Sequence, residues 1–114
     1  MSSFSTHVLD ASRGAPAAGV GVSLAVREAD GSWRIFASGA TDAAGRWHPV
    51  LPELPKMPAG SYKLIFDTAA YFHERGVDSF FPSVEIDFTI RDTTQHYHVP
   101  LLLAPYSYST YRGS

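Results

Sequence analysis

The sequence contains no cysteine. That excludes a disulfide framework and thiolate chemistry, and it is compatible with a reducing compartment. No apolar run approaches the ~18 residues of a membrane span. The opening Met1-Ser2-Ser3-Phe4 carries no charged region followed by an apolar one, so no secretory signal is visible and a cytoplasmic location is expected. A basic cluster is missing too. Nine Lys and Arg stand against 11 Asp and Glu, for a net charge of −2, which argues against nucleic acid as a partner. Neither a nucleophile-elbow motif nor a zinc-protease helix motif occurs. Hydrolysis by an activated water is therefore a simpler expectation than a covalent mechanism.

What is present fits one folded domain over residues 1–114. The length is one domain's worth. Roughly two thirds of the unfolded surface can be buried at this size. Hydrophobic residues make up 45% and charged residues 18%, a balance unlike that of disordered chains.

Period-two alternation recurs along the chain. A short strand is expected from Ser5 to Asp10, followed by a turn-rich connection holding Gly14, Pro16 and Gly19. Val20, Val22, Leu24 and Val26 alternate with Gly21, Ser23, Ala25 and Arg27, as in a half-buried strand. Asp30-Gly31 marks a hairpin turn, and Trp33 to Thr41 is the returning strand. Asp42-Ala43-Ala44-Gly45 is a further turn that delivers Arg46. A short strand over Trp47 to Val50 then meets Pro49, Pro52, Pro55 and Pro58, which forbid regular structure up to Ala59. Gly60 to Asp67 resumes a strand. Thr68 is the expected cap of a helix over Ala69 to Arg75, ended by Gly76. Val84 to Ile90 alternates again, and two late strands follow, joined at Pro105. Seven or eight short strands, one short helix and no internal repeat predict an all-β, antiparallel β-sandwich.

Five histidines are available for chemistry. His96 and His98 fall on one face of a strand. Such a pair can hold zinc if a third ligand exists. It can be an incidental feature of a polar face, or it can do acid–base work, since imidazole titrates near neutrality. Spacing leaves the three open. His7 by itself reads as a hydrogen-bonded strand histidine, and Arg46 as a solvated arginine. His48 and His73 match no motif and read as surface or structural residues. In the last strand Ser107, Ser109 and Tyr111 alternate with Tyr106, Tyr108 and Thr110. One side is too polar for a core, which suggests a subunit interface or a pocket wall.

Three separated motifs carry a resemblance: Ser5-Thr6-His7-Val8-Leu9-Asp10, Thr41-Asp42-Ala43-Ala44-Gly45-Arg46, and His96-Tyr97-His98-Val99-Pro100-Leu101-Leu102-Leu103 with a terminal Tyr111-Arg112-Gly113-Ser114. In this order, over nearly the whole chain, they resemble the 5-hydroxyisourate hydrolases, the enzymatic branch of the transthyretin-like family. Ala104 departs from a serine found in many relatives, outside the catalytic set. The resemblance implies a transthyretin-like sandwich of two four-stranded sheets, assembled as a homotetramer with sites at subunit interfaces. It implies hydrolysis of 5-hydroxyisourate in urate degradation, without cofactor or metal. His7, Arg46, His98 and Ser114 are the catalytic residues it marks. His7, Arg46 and Tyr111 are those it places against substrate, with His96 supportive. Arg112 and Gly113 would set the path of the tail, Gly113 by permitting positive φ. A different class remains open, a non-catalytic carrier of a small aromatic ligand like transthyretin itself. Carriers, on the same resemblance, lack the set His7, Arg46, His98 and the terminal Tyr-Arg-Gly-Ser.

Overall fold

The computed structural model describes residues 3–49 and 57–114. Nine strands and one helix follow in order: β1 (Ser3–Asp10), β2 (Ala15–Pro16), β3 (Gly21–Arg27), β4 (Trp33–Ala40), β5 (Arg46–Trp47), β6 (Gly60–Asp67), α1 (Thr68–Glu74), β7 (Val84–Ile90), β8 (His96–Ala104) and β9 (Ser107–Thr110). One sheet runs β4-β3-β6-β7 and is antiparallel throughout. The other runs β2-β1-β8-β9, with β5 beside β2 along the same side of β1. It therefore has five strands where the resemblance implies four. The short strand expected over Trp47 to Val50 is instead Arg46–Trp47; His48 and Pro49 lie beyond it, and Val50 is outside the described residues.

Alternation builds the core as expected. Val22 and Leu24 of β3, Tyr62, Leu64 and Phe66 of β6, and Val84, Ile86 and Ile90 of β7 are buried. They meet Phe4, Val8, Val99, Leu101 and Leu103 from the facing sheet. Successive residues of a strand point to opposite faces, so burying Phe4, Thr6, Val8 and Asp10 turns Ser3, Ser5, His7 and Leu9 outward. The same alternation turns His96 and His98 outward from β8 while Tyr97 and Val99 go in.

The buried polar groups on β1 have partners. Thr6 Oγ1 donates to the Val99 carbonyl at 2.6 Å. Asp10 is 1% exposed. It accepts from Tyr71 Oη at 2.8 Å and from the Ser12 amide at 3.0 Å and hydroxyl at 2.5 Å. Burial pushes its pKa up, but these hydrogen bonds outweigh it, so the carboxyl is held below its ordinary range.

Two further features differ from expectation. β1 and β8 pair in parallel over eight residues, with Ser5 opposite His98 and His7 opposite Pro100. Alternation defines which face is buried and carries no information on strand direction. The helix is capped by Asp67, whose carboxylate accepts from the Ala70 amide at 3.2 Å, and not by Thr68. Thr68 is already helical and faces the core at 1% exposure, and its hydroxyl has no partner among the described residues. Gly76, at φ +70°, ends the helix as expected.

Candidate active site

The outer face of the five-stranded sheet collects the titratable groups. Register fixes their order. Arg46 on β5 is directly opposite His7 on β1. Two residues back along β1, Ser5 is opposite His98 on β8. On the far side of β8, Gly113 bridges to His98, its amide donating to the His98 carbonyl at 2.8 Å. Neighbouring strands lie about 4.8 Å apart, so Arg46, His7, His98 and the tail fall within a few strand widths.

One turn aims two of these groups. Asp42 Oδ1 accepts from the amides of Ala44 and Arg46 at 2.9 and 3.0 Å. Gly45 closes the turn at φ +77°. The turn's Ala44 carbonyl receives His7 Nε2 at 2.8 Å. A carbonyl can only accept, so neutral His7 carries its hydrogen on Nε2 and leaves Nδ1 as a lone pair. Arg46 leaves the turn exposed, and its guanidinium has no hydrogen-bond partner among the described residues. Its planar fork is free to meet a carbonyl or anionic edge.

Gly45 also explains why this turn admits no side chain. A Cβ there would sit 2.4 Å from the Val8 carbonyl oxygen, and the Gly45 carbonyl accepts from the Val8 amide at 2.7 Å. Gly45→Ala is expected to destabilise the fold by about 1–3 kcal/mol, the scale of a non-glycine residue forced to positive φ. Urea unfolding at matched protein concentration measures this; an unchanged midpoint would contradict the placement of the turn.

His98 is partly buried. Its Nδ1 lies 2.8 Å from Ser5 Oγ, and Nε2 has no partner among the described residues. Burial lowers its pKa below the ordinary value of 6.5, and repulsion from His96, Arg46 and His7 lowers it further. His96 stacks beside it with ring centroids 6.5 Å apart. His48 meets His96 edge-on at 6.1 Å. His48, which matches no motif and reads as a surface or structural residue, is exposed, yet it borders the imidazole cluster. Its sequence neighbours Trp47 and Pro49 gave no signal; only the pairing of Thr6 with Trp47 places it there. His73 is remote, in the last turn of α1.

The tail is held at the start of β8. The Arg112 guanidinium lies over the Tyr97 ring at 4.7 Å and donates to Gln95 Oε1 at 2.6 Å. Gly113 does not adopt positive φ. What its place demands is space: a Cβ would lie 2.5 Å from His98 Cδ2. Ser114 follows, exposed, one residue beyond the bridge to His98. Tyr111 makes no ring contact with the imidazoles among the described residues. It is 58% exposed and lines a separate groove of about 250 Å³ with Ile86, Phe88, Tyr97 and Val99.

No group of three or more His, Asp or Glu among the described residues is placed to hold a metal ion. The arrangement can present two imidazole lone pairs and a free guanidinium to one small polar molecule.

Fold and site together define a β-sandwich protein with acid–base groups on the outer face of one sheet. The chain belongs to the HIUase/Transthyretin family, whose sequence profile matches residues 4–113. It is 47% identical to mouse 5-hydroxyisourate hydrolase over 114 residues, covering 99% of this chain and 96% of that one. Among solved structures, Klebsiella pneumoniae 5-hydroxyisourate hydrolase superposes with a TM-score of 0.84 at 45% identity, covering 100% and 94% of the two chains. Sea bream transthyretin in complex with thyroxine gives a TM-score of 0.89 at 37% identity, covering 96% and 93%.

Proposed function

We propose that this protein, acting as one domain over its whole length, hydrolyses 5-hydroxyisourate to 2-oxo-4-hydroxy-4-carboxy-5-ureidoimidazoline in urate degradation. One observation carries the assignment of the site: His7, Arg46 and His98 share one sheet face, and burial and cationic neighbours favour the neutral form of His98. Water attacks the lactam carbonyl, giving a proton to His98 or His7. The ring C–N bond breaks and its nitrogen takes a proton. The new carboxyl ionises, so one proton is released per turnover. Arg46 holds and polarises the attacked region, where negative charge develops. Ser114, one residue beyond the bridge of Gly113 to His98, closes the pocket. A carrier of a small aromatic ligand has no use for two imidazoles and a guanidinium gathered on one face.

The working form is a homotetramer with the sites at subunit interfaces. Two observations support it. Among the described residues β7 and β9 each have one strand neighbour, and an unpaired edge invites pairing with another copy. All of β9 is exposed, beside the ring cluster of Phe80, Phe81 and Tyr108. In such an assembly Tyr111 reaches substrate from a subunit other than the one supplying His98. Light scattering tests the assembly, and a stable monomer with full turnover would overturn it.

The assay is ultraviolet spectroscopy of freshly made 5-hydroxyisourate with and without protein; identical decay would refute the activity. The pH profile tests the base. His98 acts as the neutral ring, and its pKa lies below 6.5. The neutral form therefore persists below that pH, and kcat/KM is lost only as pH falls through the depressed value. An acid limb centred below 6.5 is expected in the free enzyme. A limb centred well above it would point to another group.

A further inference from the structure

Two hydroxyls and two imidazoles form a continuous chain along the edge of the site. Ser3 Oγ is 2.5 Å from His96 Nδ1. His96 Nε2 is 2.8 Å from Ser5 Oγ, and Ser5 Oγ is 2.8 Å from His98 Nδ1. The pairing of β1 with β8 produces it, because parallel register sets Ser3 opposite His96 and Ser5 opposite His98. Both serines take the outward positions of β1, and both histidines those of β8.

A hydroxyl has one hydrogen and two lone pairs, and a neutral imidazole has one N–H. Ser5 Oγ touches two ring nitrogens. With its hydrogen used within the chain it donates to one and accepts from the other, which leaves two states. In the outward state, His98 Nδ1–H donates to Ser5, Ser5 donates to His96 Nε2, and His96 Nδ1–H donates to Ser3. In the inward state every bond is reversed, and the hydrogen of His98 sits on Nε2. Only the outward state leaves the Nε2 lone pair open.

We propose that Ser5 is a positioning residue for catalysis: with His96 and Ser3 it holds His98 in the Nδ1–H tautomer, so that Nε2 faces the reacting water as the base. The inference rests on the acid–base role given to His98 above. A carboxylate is the more usual partner for the second nitrogen of a catalytic imidazole. Here a neutral hydroxyl takes that place, backed by a second ring. When Nε2 gains a proton, Ser5 accepts from the imidazolium without a carboxylate to bind it tightly, so the proton remains easy to pass on to the leaving nitrogen. The groups facing His98 are otherwise cationic or neutral: His96 on its own strand, His7 on β1 and Arg46 on β5. His48 faces His96.

Two measurements test this. Nitrogen-15 NMR of the imidazole rings in the substrate-free protein reads the tautomer directly. Wild type is expected to show His98 protonated at Nδ1 and bare at Nε2, and Ser5→Ala is expected to move hydrogen to Nε2. In kinetics, Ser5→Ala is expected to lower kcat by about 10- to 100-fold, the scale for losing a group that orients a functional imidazole. KM should stay within about twofold, and Ser5→Thr, which keeps the hydroxyl, should recover most of the rate. An unchanged tautomer and wild-type kcat in Ser5→Ala would overturn the proposal. So would a Ser5→Thr variant as slow as Ser5→Ala, which would assign the position to packing. The NMR arm needs no substrate. A wild-type protein inert toward 5-hydroxyisourate would refute the proposed activity and leave the tautomer measurement to decide the relay.

Discussion

His98→Asn is expected to lower turnover by at least about 100-fold while leaving the sandwich folded, the usual scale for removing a positioned acid or base. The fold should survive because His98 points away from the core; its strand neighbours Tyr97 and Val99, not the imidazole, are buried. Asparagine keeps a polar group near Ser5 Oγ but has no nitrogen that can take a proton near neutral pH. Initial rates, with circular dichroism and oligomer size as controls, measure the effect. His48→Asn is the matched control. It alters a ring of the same face that meets His96, and it should change the rate little. Wild-type rates in both variants would remove His98 from the mechanism.

Gly113→Ala is expected to cost on the order of 100-fold in turnover, the scale of an approximately 1 Å misplacement in a preorganised site. The added methyl would meet His98 Cδ2 at 2.5 Å and Cγ at 3.3 Å. The ring or the tail must then move. If the ring turns, the 2.8 Å contact with Ser5 Oγ is lost. If the tail moves, the Gly113 amide leaves the His98 carbonyl and Ser114 shifts with it. Stability should change little, because the bridge is a single isolated pair at the sheet margin. Thermal unfolding and initial rates on one preparation separate the two effects. An active Gly113→Ala enzyme would mean that the tail does not abut His98 in the working form.

The sandwich was legible because its strands obey period two. In β3, β6 and β7 the residues expected inward are nearly all buried, Val26 and Phe88 being only partly so. The turns were legible where glycine marks positive φ, as at Gly31 and Gly45. What escaped had no local signal. The parallel course of β1 beside β8 is a long-range choice. Through it Ser5, an unremarkable serine within Ser-Thr-His, comes to lie between two imidazoles. His48 joined the cluster in the same way. Thr68 misled because threonine and aspartate both favour helix starts, and burial of the threonine decided between them. Gly113 misled for the opposite reason. Conformational freedom is the usual role of a glycine near a turn, whereas here the missing Cβ makes room for a ring. Tyr111 keeps its family motif, yet one protomer directs it to another groove.

The parallel partnership of the first and eighth strands also has a consequence for biogenesis. Ser3 and His96 are 93 positions apart. At a synthesis rate of roughly 5–20 residues per second, the N-terminal strand waits about 5–20 s for its partner to be made. Until then the β8 side of β1 has no strand beside it, and the chain is exposed to the aggregation that accompanies slow, non-local β pairing. The antiparallel sheet of β3, β4, β6 and β7 can close earlier from near neighbours. On the ribosome the candidate site is thus complete only once β8 has been made, and a nascent chain stalled before β8 would have half a sandwich without His98.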